Sequence, residues 1–399
     1  MTADSVGLFL ALIAIASVVV LASRGLGIPD EVGLLLVGLG AALFLPPQTL
    51  VTPDLVLLVL LPGLVFEAAY RLDFDEFRAS LWSVGLLAIP GVLITAAIVA
   101  FVLSAAIGMD AKLAFLVGAM VSPTDPAAMV AAFARLRTPS GLATLIQSES
   151  LLNDGTGIVL FTVALGFVSG TATVEGAVLA IGYAIVGSVV IGLALGFVAS
   201  RLVATIDDAL VEITITVALA YGAYLLADQV HLSGIIATVV AGITLGNYGK
   251  RIGMSERTRE AASLFWGVVA FVLTALVFLL VGVAIRLDAL LEARSAVLWA
   301  ALAILAARAL AVYGMLGLMG AALRGAGLAR MPLGWLHVTF WAGLRGAVAV
   351  ALALSLPADI PQRQLLQEIV FGVVLVTILV QGTTVPFVVG RALGTATAE

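Results

Sequence analysis

Cysteine is absent from the 399-residue sequence, and histidine occurs only twice, at His231 and His337. The first absence excludes disulfides and thiolate metal sites. Two histidines far apart along the chain supply too few ligands for an imidazole metal centre. Charge is also scarce: Asp, Glu, Lys and Arg make up 11% of the residues, against about 25% in a soluble domain. The formal net charge is −5, which leaves no basic excess for nucleic acid. No low-complexity tract, long linker or soluble domain is visible. What is present is apolar: 62% hydrophobic residues and a mean hydropathy of +1.22. A water-soluble chain of this length could not bury so much apolar surface, so lipid is the solvent for much of it. The first apolar stretch has no basic segment before it and runs the length of a full span, which predicts a retained helix rather than a cleaved signal.

A spanning helix needs about 20 mostly apolar residues. Thirteen stretches qualify: 6–23, 29–46, 50–70, 80–107, 111–134, 141–169, 174–204, 209–228, 232–248, 259–285, 293–322, 332–356 and 362–392. The connections are short and hold most of the charge, as between Arg71 and Arg78 and between Lys250 and Glu260. Lys and Arg are retained on the cytoplasmic side. With the N-terminus outside and the C-terminus cytoplasmic, thirteen basic residues fall inside and four, Lys112, Arg286, Arg294 and Arg363, fall outside. That bias supports both the orientation and the number of spans. Thirteen divides as six, one and six, with 174–204 as the linker, so the two halves are expected to be inverted repeats, an arrangement that recurs in secondary transporters. The fifth span is broken at Ser122-Pro123-Thr124-Asp125-Pro126. Its counterpart, the twelfth, is broken at Gly343-Leu344-Arg345-Gly346. Interrupted helices in matching positions point to a transport site.

Ionisable groups at mid-membrane are costly unless paired, protonated or hydrated. Six stand out: Glu67, Asp125, Glu149, Asp154, Arg308 and Arg345. Asp125 lies between two prolines that lack N–H donors. Carbonyls freed there, such as that of Thr124, together with a carboxylate, form hard-oxygen chemistry suited to alkali cations. Asp125 could equally cap the second half-helix, and the two roles are compatible. In the run Gln147-Ser148-Glu149-Ser150-Leu151-Leu152-Asn153-Asp154-Gly155, Ser150 and Asp154 are four apart and share one helical face, as do Glu149 and Asn153 beside them. Asp154 is the leading candidate for a carboxylate that holds either a proton or a cation, because desolvation disfavours the charged form of such a group and makes protonation compete with cation binding. Glu67, near the end of its span, is either a site residue or the i, i+4 partner of Arg71. Arg308 is too central to reach either interface and stays protonated, so it requires a carboxylate, for which Glu149 is assigned. Arg345 either balances the charge of the broken twelfth helix or anchors freed carbonyls. His231 and His337 read as ordinary hydrogen-bonding residues.

These features resemble the electroneutral sodium/proton exchangers of the monovalent cation:proton antiporter-1 family. The residues that carry the resemblance are Ser122 to Pro126, Glu149 to Gly155 with its Asn153-Asp154 pair, and Gly343 to Ala347. Weaker matches are His231 to Ile235 and Leu61 to Glu67. The resemblance implies an all-α membrane protein with two inverted six-helix repeats and crossed discontinuous helices. It implies a homodimer in a cell (inner) membrane whose core, about 80–169 and 293–392, moves like an elevator against a scaffold of about 6–70 and 209–285. By the same resemblance, Asp154, Asp125, Ser150 and the Thr124 carbonyl bind sodium or a proton, with Glu67 contributing directly or through water. Asn153, Glu149, Arg308 and Arg345 support them. Asn153 stands where the electrogenic branch carries a second Asp, which implies one proton exchanged per sodium. The family further implies lithium transport, a role in pH homeostasis, and no cofactor beyond the transported ions. The chain ends soon after its last span, so the long cytoplasmic regulatory domain of the animal exchangers is not expected. The alternatives are a potassium/proton antiporter, an intramembrane aspartyl protease built on the two Asp residues, and a cation channel.

Overall fold

The computed structural model describes residues 3–44, 52–136, 138–319 and 331–394. Regular structure among these residues is helical throughout. The first three helices are α1 (Ala3–Leu26), α2 (Asp30–Ala41) and α3 (55–71). α4 (Phe74–Ile107) is followed by two short pieces, α5 (Ala111–Met120) and α6 (Ala127–Leu136). Next come α7 (Ser140–Ser169), α8 (Val174–Val203) and α9 (Ala209–Gln229). The second half of the chain forms α10 (234–252), α11 (Glu256–Ala284), the short α12 (Leu287–Glu292) and α13 (Arg294–Leu318). A second pair of short pieces, α14 (Leu333–Trp341) and α15 (Ala347–Leu354), precedes α16 (Arg363–Leu393).

Each of the thirteen predicted spans has a helical counterpart, although part of the second (45–46), the start of the third (50–51) and the end of the eleventh (320–322) lie outside the described residues. Among the described residues, seven helices are each long and apolar enough to cross a membrane unaided: α4, α7, α8, α9, α11, α13 and α16. The fifth and twelfth spans fall short because each is two half-helices joined by irregular chain. Helix starts differ from the hydropathy pattern for a local reason. α4 begins at Phe74 rather than 80, since Asp73 accepts hydrogen bonds from the N–H groups of Asp75 and Glu76 at 2.9 and 3.0 Å. α11 likewise begins at Glu256 rather than 259, capped by Ser255. Capping side chains satisfy N–H groups that have no intrahelical partner, and they extend a helix past its apolar stretch.

Lipid is as apolar as the side chains, so helices associate here through close packing rather than escape from water. α2 lies along α11 with Gly38 against Gly282, and a methyl group on either would run into backbone of the other helix. α10 packs against both α8 and α3. α7 contacts α4, α5 and α10, placing its middle turns beside the break between α5 and α6.

Candidate functional site

The two interrupted spans meet at their breaks. The Asp125 N–H donates to the Leu344 carbonyl at 2.9 Å, joining residues 121–126 to residues 342–346. Arg345, 1% exposed, donates from its guanidinium to the carbonyl of Ser122 and, at 2.9 Å, to that of Pro123. Pro126 has no N–H to give the Ser122 carbonyl four residues back, and the N–H of Ala127, four residues after Pro123, goes to the Asp125 carboxylate instead. Of the two roles considered for Arg345, anchoring of free carbonyls is the one its contacts display. The Arg345 N–H is itself held by the Thr377 hydroxyl of α16 at 3.2 Å. The Asp125 carboxylate accepts the N–H of Ala127 at 3.0 Å, capping α6, and faces the N–H of Ala347 at the start of α15. Two half-helix N-termini thus aim their positive ends at one carboxylate. Gly346 makes that approach possible, because a Cβ there would overlap the Asp125 carboxylate.

α7 sorts its polar residues by face. The Ser150 hydroxyl donates to the Thr124 carbonyl, and Ser150, Asp154 and Gln147 all line a cavity of about 340 Å³ together with Thr124 and Asp125. Asp154 also lies within electrostatic reach of Asp125 and Arg345. The neighbouring face carries Glu149 and Asn153, which instead line a separate pocket of about 10 Å³ with Arg308 and Arg345. Asn153 grips Thr124 at two points: its Oδ1 accepts the Thr124 N–H at 3.0 Å, and its Nδ2 donates to the Thr124 hydroxyl at 2.7 Å. The expected pairing of Arg308 with Glu149 is present. The guanidinium donates to both carboxylate oxygens, one at 2.8 Å, and to the Thr339 carbonyl at 2.8 Å, with Arg308 5% and Glu149 1% exposed. Bidentate geometry of this kind suits a buried guanidinium.

Glu67 combines the two readings offered for it. It forms an ion pair with Arg71 one turn away and also lines the 340 Å³ cavity. The two histidines stand apart from this cavity. His231 sits at the exposed turn between α9 and α10 with φ of 58°, and His337 shares a hydrogen bond of 2.8 Å with Tyr313. The structure adds three polar residues that sequence reasoning did not single out for the site: Glu31, Gln147 and Thr274, all lining the cavity. Gln147 lay inside the quoted run, but Glu31 follows Pro29 and Asp30 at a helix start, where acidic residues are ordinary.

A second cavity of about 340 Å³ adjoins the first and includes Asp30, Arg71 and Gly267 in its lining. Four residues, Glu31, Glu67, Ala270 and Thr274, line both. A third, of about 500 Å³, is bordered by Arg286 and Arg363 and shares no lining residue with the first. The site therefore adjoins a cavity on the side of Arg71, whereas the cavity on the side of Arg286 has its own separate lining.

Residues 9–391 match the family described as sodium/hydrogen exchanger, transmembrane. The chain is 40% identical over 363 residues to the low-affinity Na+/H+ antiporter NhaS1 of Synechocystis sp., covering 90% of this chain and 69% of that one. It is 37% identical to the Na+/H+ antiporter ApNhaP of Aphanothece halophytica, covering 91% and 70%. The fold matches the solved structure of the sodium proton antiporter MjNhaP1 from Methanocaldococcus jannaschii with a TM-score of 0.80 at 22% identity, covering 98% of this chain and 99% of that one. With its family match spanning nearly all of its helices, the chain belongs to the sodium/hydrogen exchangers, and it is a multi-pass membrane transporter rather than an enzyme.

Proposed function

We propose that this protein exchanges sodium for protons one for one across the cell membrane, with Asp154 as the group that both ions share. The observation that carries the proposal is the meeting of Asp125, Asp154, Ser150 and Thr124 on one cavity wall where two broken helices cross. Two carboxylates, a hydroxyl and a backbone carbonyl are hard oxygen donors of the type that suits a small alkali cation. Sodium entering the cavity meets Asp154 and displaces its proton; a proton arriving from the other side displaces sodium. Ser150 turns its hydroxyl from the Thr124 carbonyl so that both oxygens face the ion. Asp125 adds charge while its capping bonds fix its position. Asn153 is occupied by Thr124 and carries no charge, so the site has no third carboxylate to take up an additional proton, which favours an electroneutral cycle.

Alternating access follows the elevator scheme. The core helices carry the loaded site past the scaffold, because an unloaded charged site faces a high barrier in lipid. The cavity layout supports this: the cavity that adjoins the site is lined by Arg71, which the charge bias places in the cytoplasm, and the cavity lined by Arg286 and Arg363 shares no residue with the site. The protein acts as a homodimer in this scheme, with its N-terminus outside, lithium as a second substrate and pH homeostasis as its role.

Proteoliposomes containing the purified protein provide the test. Proton flux is followed as sodium, lithium and potassium are added in turn with the membrane potential clamped. Sodium- and lithium-dependent flux that ignores the potential is expected. Flux supported by potassium alone reassigns the substrate, and unitary currents without proton movement overturn exchange altogether.

A further inference from the structure

Given sodium/proton exchange at Asp154, on which it rests, we infer that Gln147 is a further specificity-determining residue for that reaction: its side-chain carbonyl binds the alkali cation, but not a proton, on the Arg71 side of Asp154. Gln147, Ser150, Leu151 and Asp154 are spaced i, i+3, i+4 and i+7 on α7, and all four line the cavity that Asp125 also lines. Seven residues of helix rise about 10 Å, so Gln147 stands two turns from Asp154. Its direction from Asp154 is fixed by Thr144, whose hydroxyl donates at 2.6 Å to the carboxylate of Glu76 in the first turn of α4. Because α4 begins at Phe74, just after Arg71, the start of α7 lies on the Arg71 side, and Gln147 is nearer that start than Asp154 is. A cation moving along α7 from that side meets Gln147 before Ser150 and Asp154.

Other polar side chains of this stretch are committed. Glu149 is held by Arg308, Ser150 donates to the Thr124 carbonyl, and Asn153 engages the N–H and the hydroxyl of Thr124. Gln147 is half-buried, and among the described residues no hydrogen bond holds its amide. An amide carbonyl is an acceptor with two lone pairs, and it is the hard, neutral oxygen that suits an alkali cation. It can stand in for one water of the cation's shell. Unlike a carboxylate it has no ionised form to be protonated, so it takes a cation without competing for a proton, whereas Asp154 must release one to accept the other. Because Gln147 and Asp154 share α7, the spacing between them is kept as the core moves.

Two measurements test this. The first is sodium-driven proton flux in proteoliposomes with sodium varied on the Arg71 side. In Gln147→Met, which keeps the length of the side chain but removes its oxygen, the apparent KM for sodium rises about fivefold, the loss expected of one neutral polar contact, while kcat stays at the wild-type value. Gln147→Glu restores a hard oxygen at the same reach and shows a KM no higher than wild type. Gln147→Ala removes the oxygen by truncation and raises KM as Gln147→Met does, so the inference is decided even if one of the two does not fold. The second measurement needs no transport: thermal unfolding of the purified protein in detergent as sodium chloride replaces choline chloride at constant ionic strength. A bound ion stabilises the folded state by mass action, and the sodium concentration for half of that stabilisation rises about fivefold in Gln147→Met and Gln147→Ala. Wild-type KM and wild-type sodium stabilisation in either folded variant overturn the inference, as does a loss of kcat at wild-type KM, or a Gln147→Glu protein with the raised KM of Gln147→Met. A wild-type protein that sodium stabilises but does not drive to move protons refutes exchange and leaves Gln147 to be decided by the unfolding series; an active wild type with indifferent variants refutes Gln147 alone.

Discussion

Replacing Arg308 by Met removes a guanidinium but keeps most of the side-chain length, and the consequence can be worked from its surroundings. Arg308 supplies two hydrogen bonds to Glu149 and one of 2.8 Å to the Thr339 carbonyl. Glu149 is 1% exposed and borders a pocket of about 10 Å³, room for no more than about one water. Stranding one member of a buried ion pair costs about 3–5 kcal/mol. Arg345 lies within electrostatic reach of Glu149 and offsets part of the loss, which places Arg308→Met near the lower bound, at about 3 kcal/mol. Changing both members, Glu149→Leu with Arg308→Met, removes the stranded charge. What remains is chiefly the unpartnered Thr339 carbonyl, costing about 1 kcal/mol. The double variant is therefore expected to be more stable than the single one by about 2 kcal/mol, the difference of these two figures. Unfolding of the purified protein in micelles of increasing SDS content, followed by tryptophan fluorescence, measures the gap. A double variant no more stable than Arg308→Met refutes the reasoning. Because neither residue lines the ion cavity, the folded double variant should also retain a sodium KM near the wild-type value.

Three further outcomes are expected. Asp154→Asn lowers exchange in proteoliposomes at least a hundredfold (~3 kcal/mol or more at the affected step) with an unchanged gel-filtration profile; near wild-type flux from that protein removes Asp154 from the central role. Gly346→Ala pushes a methyl group into the Asp125 carboxylate and raises the sodium KM roughly tenfold or more, read from the same flux assay; a wild-type KM would show that the position of Asp125 is immaterial. Asn153→Asp keeps an acceptor for the Thr124 N–H while adding a carboxylate. Exchange should then respond to an imposed membrane potential, and continued insensitivity would mean that the residue at 153 does not by itself set the stoichiometry.

Much of this protein was written locally. Apolar run length located thirteen spans because a bilayer demands the same length of every crossing helix. Proline spacing marked the break around Asp125, since a missing N–H acts within one turn. The i, i+4 rule grouped Ser150 with Asp154 and Glu149 with Asn153, and those groups do occupy different pockets. Even the long-range pairing of Glu149 with Arg308 was accessible from the scarcity of partners for a buried guanidinium.

Other features depend on which helices become neighbours, and no local pattern encodes that. Asp73 and Ser255 lie outside the apolar runs, so their caps moved two helix starts. That Arg345 anchors freed carbonyls, one of the two roles open to it from the sequence, shows only in the arrival of residues 122–123 beside it. Glu31 looked like an ordinary helix-start acid until α2, α3 and α11 enclosed it between two cavities. Which cavity adjoins the one next to Asp154 likewise arises from how whole helices pack. Sequence alone determined the solvent, the number of crossings and the chemistry at each break, because these follow from composition and spacing along one helix. Tertiary structure decided which charges meet and which cavities adjoin them, because both depend on distances between segments far apart in the chain.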